Sequence, residues 1–159
     1  MDVCAKIRGI LREKRVGHAG TLDPLATGLL VVLLGSATRA SDQAAGQQKE
    51  YLARLRLGLE TDTEDITGQT LAQRPVTVGR EDLQAILPRF TGEILQRPPM
   101  YSALQVDGKR LYALARRGVA VELEGRPITV SRLSLLPPAD GLPAGDFDLR
   151  VVCSKGTYI

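Results

Sequence analysis

Apolar positions along the chain follow three different rhythms, and each predicts a different element. Between Asp2 and Glu13, Val3, Ile7, Ile10 and Leu11 fall at helical spacing while Lys6, Arg8 and Arg12 take the other side, which predicts an amphipathic helix. From Val16 to Gly28 the rhythm stops. Three glycines, a proline and two threonines without periodic apolar residues read as a loop. The continuous apolar run Leu29 to Leu34, closed by Gly35, predicts a fully buried strand that would hold this loop rigidly.

Further along, Thr38 to Gly46 reads as a short helix, and Lys49 to Leu57 switches to the two-residue period of a half-buried strand. Tyr51, Ala53, Leu55 and Leu57 lie on one face of it, Arg54 and Arg56 on the other. The acidic stretch Thr61 to Gly68 has turn-forming composition. Arg80 to Phe90 returns to helical spacing, with Gly92 just past its end. Pro98-Pro99 punctuates the chain, Ser102 to Val106 leads into the turn dipeptide Asp107-Gly108, and Lys109 to Arg117 reads as a short basic helix closed by Gly118. Val119 to Leu123, Pro127 to Leu136 and Phe147 to Val152 read as strands. Irregular alternation without a βαβ repeat predicts an α+β fold: a mainly antiparallel sheet with flanking helices.

Composition narrows the class. At 159 residues, 43% apolar and 25% charged, the chain has the make-up of one globular domain, one that would bury roughly 70% of its unfolded surface. Disordered, collagen-like and disulfide-dense classes are excluded. Only Cys4 and Cys153 are present and no secretory signal precedes them, so a reduced, cytoplasmic setting is expected. The longest apolar run is far too short to cross a bilayer as a helix, and no membrane partner is expected. The net charge of +3 identifies no polyanion by itself, but bases cluster in residues 1–20 and acids in residues 60–65.

The chemistry concentrates in the loop. The sole histidine, His18, precedes Asp23 by five residues; with no second histidine and the cysteines far off, a metal site is a poor reading. Neither a Gly-x-Ser-x-Gly elbow nor a Gly-Lys-Ser/Thr phosphate loop occurs. Gly20-Thr-Leu-Asp-Pro-Leu-Ala-Thr-Gly28 remains, with an aspartate held just before a proline. Such a carboxylate could act as nucleophile or general base. It could equally be a turn aspartate bonded to its own backbone. Tyr51, Lys155-Gly-Thr-Tyr158 and the basic stretch from Lys109 have ordinary readings too: a core aromatic, a turn and a solvated face.

Taken together these segments resemble one family. Arg15-Val-Gly-His-Ala-Gly-Thr-Leu-Asp-Pro-Leu-Ala-Thr-Gly28 is similar to the signature loop of the TruB family of tRNA pseudouridine-55 synthases. The likeness continues in order through Lys49-Glu-Tyr51, Leu57-Gly-Leu-Glu-Thr-Asp-Thr63, Gly92-Glu93, Pro99-Met-Tyr-Ser-Ala-Leu104, Asp107-Gly-Lys-Arg-Leu-Tyr112, Arg126-Pro-Ile-Thr-Val130 and Cys153-Ser-Lys-Gly-Thr-Tyr-Ile159.

The resemblance implies the catalytic-domain fold of the pseudouridine synthases and an isomerase that converts one uridine in the T-loop of tRNA, without a cofactor. It implies Asp23 as the catalytic residue, acting covalently on the uracil or ribose or as a base on the sugar. It implies His18, Tyr51 and Tyr158 as substrate-binding residues: His18 near the vacated position of the loop, Tyr51 against the flipped base, Tyr158 lining the uracil pocket. Lys14, Arg15, Lys109, Arg110 and Lys155 are candidate phosphate contacts. The implied partner is the T-arm of tRNA, with no metal, for a monomeric protein.

Both ends depart from the family pattern. The family carries a strand and a Lys-Pro-x-Gly loop ahead of the first helix here. Beyond residue 159 it carries an arginine that pairs with the catalytic aspartate, a helix and an RNA-binding tail domain. Residues 1–159 are thus expected to form a partial catalytic domain, truncated at both ends and inactive as it stands. Two rivals stay open: a non-catalytic tRNA-binding or folding-assisting protein on the same scaffold, and a small-molecule enzyme using Asp23.

Overall fold

The computed structural model describes residues 3–159 apart from 103, 107, 116, 120 and 122, and separates into two compact units, Met1–Gln48 and Lys49–Ile159. In the first, α1 (Val3–Leu11) ends where Arg12 takes a left-handed conformation, φ 52°. The position after a helix end is where such a conformation is commonest. The helix buries Cys4 and half-buries Ile7, whereas Val3, Ile10 and Leu11 of the expected apolar stripe stay exposed. β1 (Val16–His18) pairs antiparallel with β2 (Val32–Leu34), Val16 opposite Leu34 and His18 opposite Val32. A 3-10 turn, Gly35–Ala40, then leads into α2 (Ser41–Ala45).

The hairpin corrects the expectation of a fully buried strand. Only the last three residues of the apolar run are paired as strand, neither strand has another neighbour among the described residues, and Leu29 is 86% exposed. A two-stranded ribbon shields little side-chain surface, so apolar content alone did not secure burial. The expected loop likewise begins with a strand at Val16.

The second unit is built on a four-stranded antiparallel sheet. β3 (Lys49–Arg56) shows the expected alternation of half-buried and exposed residues. β4 (Leu59–Thr61) and β5 (Thr70–Gln73) form a separate ribbon around the acidic turn. There Gly58 sits at φ 78°, and a Cβ on it would run into the Arg74 carbonyl oxygen. α3 (Arg80–Ile86) is capped by the Asp82 carboxylate, which accepts the Gly79 N–H at 2.8 Å; a 3-10 turn, Leu87–Phe90, follows. Next comes β6 (Gly92–Gln96). β7 (Gln105–Val106) and β8 (Lys109–Arg110) form a small hairpin ahead of α4 (Leu111–Ala115). β9 (Arg126–Leu135) and β10 (Asp146–Cys153) complete the main sheet, ordered β3-β10-β9-β6.

Its core face carries Ile128, Val130, Val151 and Cys153, flanked by Tyr51, Ile94, Leu133 and Leu149. Ile128 and Val130 lie at even positions of β9 and Leu133 at an odd one, because a register shift beside Cys153 leaves an extra residue on β9 between Val130 and Arg132. The bulge exchanges the two faces of the strand, so apolar residues before and after it point the same way. Both cysteines are buried and neither forms a disulfide, and burial pushes the Cys153 thiol upward.

One strand, β6, was not anticipated, since its apolar content is two residues wide, and two further expectations are corrected. Lys109 and Arg110 belong to β8 rather than to a helix, the helix starting only at Leu111, which is fully buried. Residues 119, 121 and 123 are not strand; 120 and 122 lie outside the described residues. Among the described residues no helix is long and apolar enough to cross a membrane, and no group of His, Cys, Asp and Glu is arranged to hold a metal ion.

Candidate active site

The glycine-rich loop is fastened at both ends by backbone. Beyond β1, the Ala19 N–H donates to the Val31 carbonyl at 3.0 Å, and the Gly35 N–H donates to the Arg15 carbonyl at 2.8 Å. Within the loop the Ala26 N–H donates to the Asp23 carbonyl at 2.9 Å, closing a turn with Pro24 at its second position, where a fixed φ suits it. The turn therefore uses the backbone of Asp23. Its side chain is exposed, and among the described residues the carboxylate has no hydrogen-bond partner. This disfavours the reading in which that carboxylate caps its own turn, and leaves both oxygens available to a substrate. His18, the last residue of β1, is exposed as well.

Lys14 and Arg15 stand ahead of β1 with exposed side chains, and the backbone beneath them is held by neighbours. Arg8 of α1 donates from Nε to the Lys14 carbonyl at 3.1 Å and from a terminal nitrogen to the Val16 carbonyl at 3.3 Å; the Glu13 carboxylate accepts the Arg15 N–H at 2.9 Å. Arg8 looked like a surface base in the helical pattern, yet it ties the helix to the loop. Only its position one turn before the helix end hinted at this.

In the second unit Tyr51 lies on the core face of β3, opposite Val151, half-buried against the apolar cluster. Lys155 and Tyr158 follow β10 in a tight turn containing Gly156 at φ 80°; Lys155 is exposed and Tyr158 half-buried. Tyr51 and Tyr158 thus belong to one sheet and its C-terminal extension, whereas His18 and Asp23 belong to the other unit. Lys109 and Arg110 are in β8, and their side chains lie outside the described residues.

Three arginines of the sheet are engaged in folding. Arg54 forks onto Asp148 at 2.8 and 3.0 Å, Arg56 onto Asp146 at 2.8 Å twice, and Arg150 onto Glu50 at 2.8 and 3.0 Å. Arg56 faces Asp146 directly in the register and Arg54 faces Asp148, so β3 and β10 are joined by a ladder of planar, two-point pairs. Each guanidinium holds its carboxyl below the usual carboxylate range, mainly through these hydrogen bonds. A depression of about 540 Å³ beside α3, lined by Arg80, Gln84, Pro88, Thr91, Leu133 and Leu135, contains none of the residues singled out from the sequence.

Residues 8–159 match the family described as TruB family pseudouridylate synthase (N terminal domain). The chain belongs to this family. Similar TruB-type relatives include tRNA pseudouridine synthase B of Ectopseudomonas mendocina, 50% identical over 154 residues that make up 97% of this chain and 49% of the relative. The enzyme of the same name from Cupriavidus metallidurans is 48% identical over 158 residues, 99% of this chain and 50% of the relative. The chain therefore spans about half the length of the curated relatives it matches. Among solved structures, a chain of a Cbf5–Nop10–Gar1 complex superposes with a TM-score of 0.69 at 29% identity, covering 99% of this chain and 36% of that one. A chain of an H/ACA ribonucleoprotein bound to a substrate RNA containing 2′-deoxyuridine gives 0.62 at 26% identity, covering 98% and 34%. The fold is the mixed α+β, mainly antiparallel arrangement of the pseudouridine synthases.

Proposed function

We propose that the chain supplies the catalytic part of a cytoplasmic tRNA pseudouridine synthase, which isomerises uridine-55 in the T-loop of tRNA. The observation that carries this reading is the identity of about half of the aligned residues to proteins named tRNA pseudouridine synthase B over 97% of the chain. In the reaction the bond from uracil N1 to ribose C1′ breaks, a bond from C5 to C1′ forms, C5 loses its proton and N1 gains one. Atoms and electrons balance within the substrate, so the reaction asks the protein for a carboxylate and a shaped pocket rather than a cofactor.

Asp23 acts as that carboxylate, by covalent attack or as a base on the sugar. An exposed side chain on a loop whose backbone is fixed at three points supports this role. The uridine must first leave the stacked RNA loop, at a cost of a few kcal/mol that is offset by stacking and hydrogen bonds in the pocket. Tyr51 packs on the flipped base and takes part in removing its C5 proton, Tyr158 lines the uracil pocket, and His18 contacts the RNA near the vacated position. Lys14, Arg15, Lys109, Arg110 and Lys155 hold phosphates without reading sequence.

The test is chemical tagging of pseudouridine in a T-arm RNA hairpin, made with the chain alone and with the chain joined to the remaining half of the Ectopseudomonas mendocina relative. The joined protein converts the uridine, and Asp23→Asn in it removes conversion while RNA binding persists. Full conversion by the Asp23→Asn protein would overturn the catalytic assignment. Binding without conversion by the unsubstituted joined protein would favour the non-catalytic RNA-binding reading. Vigorous conversion by the chain alone would show that residues 1–159 suffice.

A further inference from the structure

Gln96, at the end of β6, holds the backbone of Tyr158 at two points. Its Nε2 donates to the Tyr158 carbonyl at 2.7 Å, and its Oε1 accepts the Tyr158 N–H at 2.9 Å, across 62 residues of sequence. The side-chain amide takes the place that a neighbouring strand's peptide would occupy. Gln96 is itself fixed, its backbone lying opposite Arg126 in the β6–β9 ladder.

The turn before Tyr158 is tied with similar care. The Ser154 N–H donates to the Thr129 carbonyl at 2.8 Å, the Ser154 hydroxyl accepts the Thr129 N–H at 3.0 Å, and the Thr157 hydroxyl donates to the Ser154 carbonyl at 2.9 Å. Anchored on β9 at one end and on β6 at the other, the segment presents Tyr158 from a fixed Cα. Two-point holding of a peptide requires a donor and an acceptor in one planar group; glutamine has both, an ionised glutamate lacks the donor and methionine lacks both.

We infer that Gln96 is a positioning residue for the uracil pocket, acting through Tyr158. This rests on the reading of Tyr158 as a pocket residue, and it adds a residue that no motif pointed to. Small displacements of a pocket wall are costly where a flipped base must be held in one orientation.

The test compares the chain's affinity for a T-arm RNA hairpin with its affinity for the same hairpin abasic at the target position. The ratio reads the pocket without needing turnover. Amide hydrogen exchange at Tyr158 reads the clamp, and exchange at Val151 reports the fold. Gln96→Met is expected to lower the ratio about tenfold and speed exchange at Tyr158 but not at Val151. Gln96→Glu is expected to behave like Gln96→Met at pH 8 and to recover towards the ratio of the unsubstituted chain at pH 4, below the ordinary glutamate value of about 4.3, since a protonated carboxyl can again donate to one group and accept from the other. A merely space-filling role would give no such pH-dependent rescue.

An unchanged ratio in a variant whose Tyr158 amide has lost protection overturns the positioning role and leaves the pocket reading intact. No preference for uridine in the unsubstituted chain overturns the pocket reading, and the positioning role with it. Should Gln96→Met fail to fold, the pH response of Gln96→Glu decides the matter alone.

Discussion

The hairpin β1–β2 and the sheet pair β3–β10 are both antiparallel ribbons, yet they are held by different means. Three paired positions and two backbone hydrogen bonds beyond them fasten the first, and the side chains proposed for chemistry there, His18 and Asp23, stand out in solvent. Eight paired positions, an apolar face and three forked ion pairs hold the second, where Tyr51 is half-buried. A loop fixed through its backbone leaves side chains free for chemistry, whereas a sheet fixed through its side chains has already committed most of them to the fold.

Substitutions can break this contrast. The largest effect belongs to Asp23→Asn, expected to lower pseudouridine formation roughly 10³-fold in the joined protein. Its melting midpoint should not move, because no intramolecular bond to the carboxylate is lost. In the sheet the order of effects reverses: Ile128→Ala should remove about 3 kcal/mol of stability, read by denaturant unfolding, through a cavity in the core face. Gly58→Ala should cost about 2 kcal/mol, since a side chain there meets both a left-handed φ and the Arg74 carbonyl.

The ladder sharpens the comparison within the sheet. The carboxylate side chains facing Arg56, Arg54 and Arg150 are 2%, 22% and 50% exposed, and that of Glu60, which faces Arg74 in the separate β4–β5 ribbon, is 56% exposed. Alanine at each arginine should therefore lower the melting midpoint in that order, Arg56→Ala most, because a shielded carboxylate left unpaired is the hardest to rehydrate. The carboxyls of Asp146, Asp148 and Glu50 bind protons less readily in the folded state than in the unfolded one. Their contribution is complete at neutral pH and is lost as pH falls from the ordinary carboxylate range, about 4, towards their lowered values. Denaturant midpoints compared at pH 7 and pH 3 check this; an unchanged midpoint would count against the ladder. The smallest effect is expected at Lys14 and Arg15: replacing both by alanine should reduce the salt slope of RNA binding by about 2 and leave stability unchanged.

Much of the fold was legible where one physical signal dominated. The alternation from Lys49, the helical spacing from Arg80 and the apolar strands near Pro127 and Phe147 all correspond to observed elements. Misreadings arose where burial depends on partners far away in sequence. Leu29 to Leu34 has the content of a central strand but lies on a two-stranded ribbon. Lys109 and Arg110 look helical by charge, yet the hairpin closed through Gly108 takes them. Of the residues proposed for the site, Asp23, His18, Tyr51 and Tyr158 were reached only through collinear motifs, since each has an ordinary reading in isolation. Gln96 gave no signal, because its two bonds join positions 62 residues apart.

Where the bulge in β9 falls decides what it can disturb. Val130 faces both Gly92 of β6 and Cys153 of β10, so the extra residue, Ser131, lies beyond the stretch of β9 that β6 and the end of β10 share. Gln96 stands opposite Arg126 and Ser154 is bonded to Thr129, so glutamine and tyrosine are matched along Arg126–Val130, where the register is regular. The irregular step is displaced to the part of β9 that meets β10 alone, and there the Ser131 hydroxyl donates to the Val152 carbonyl at 3.1 Å. The strand thus keeps its regular half for the amide clamp and its irregular half for the apolar face.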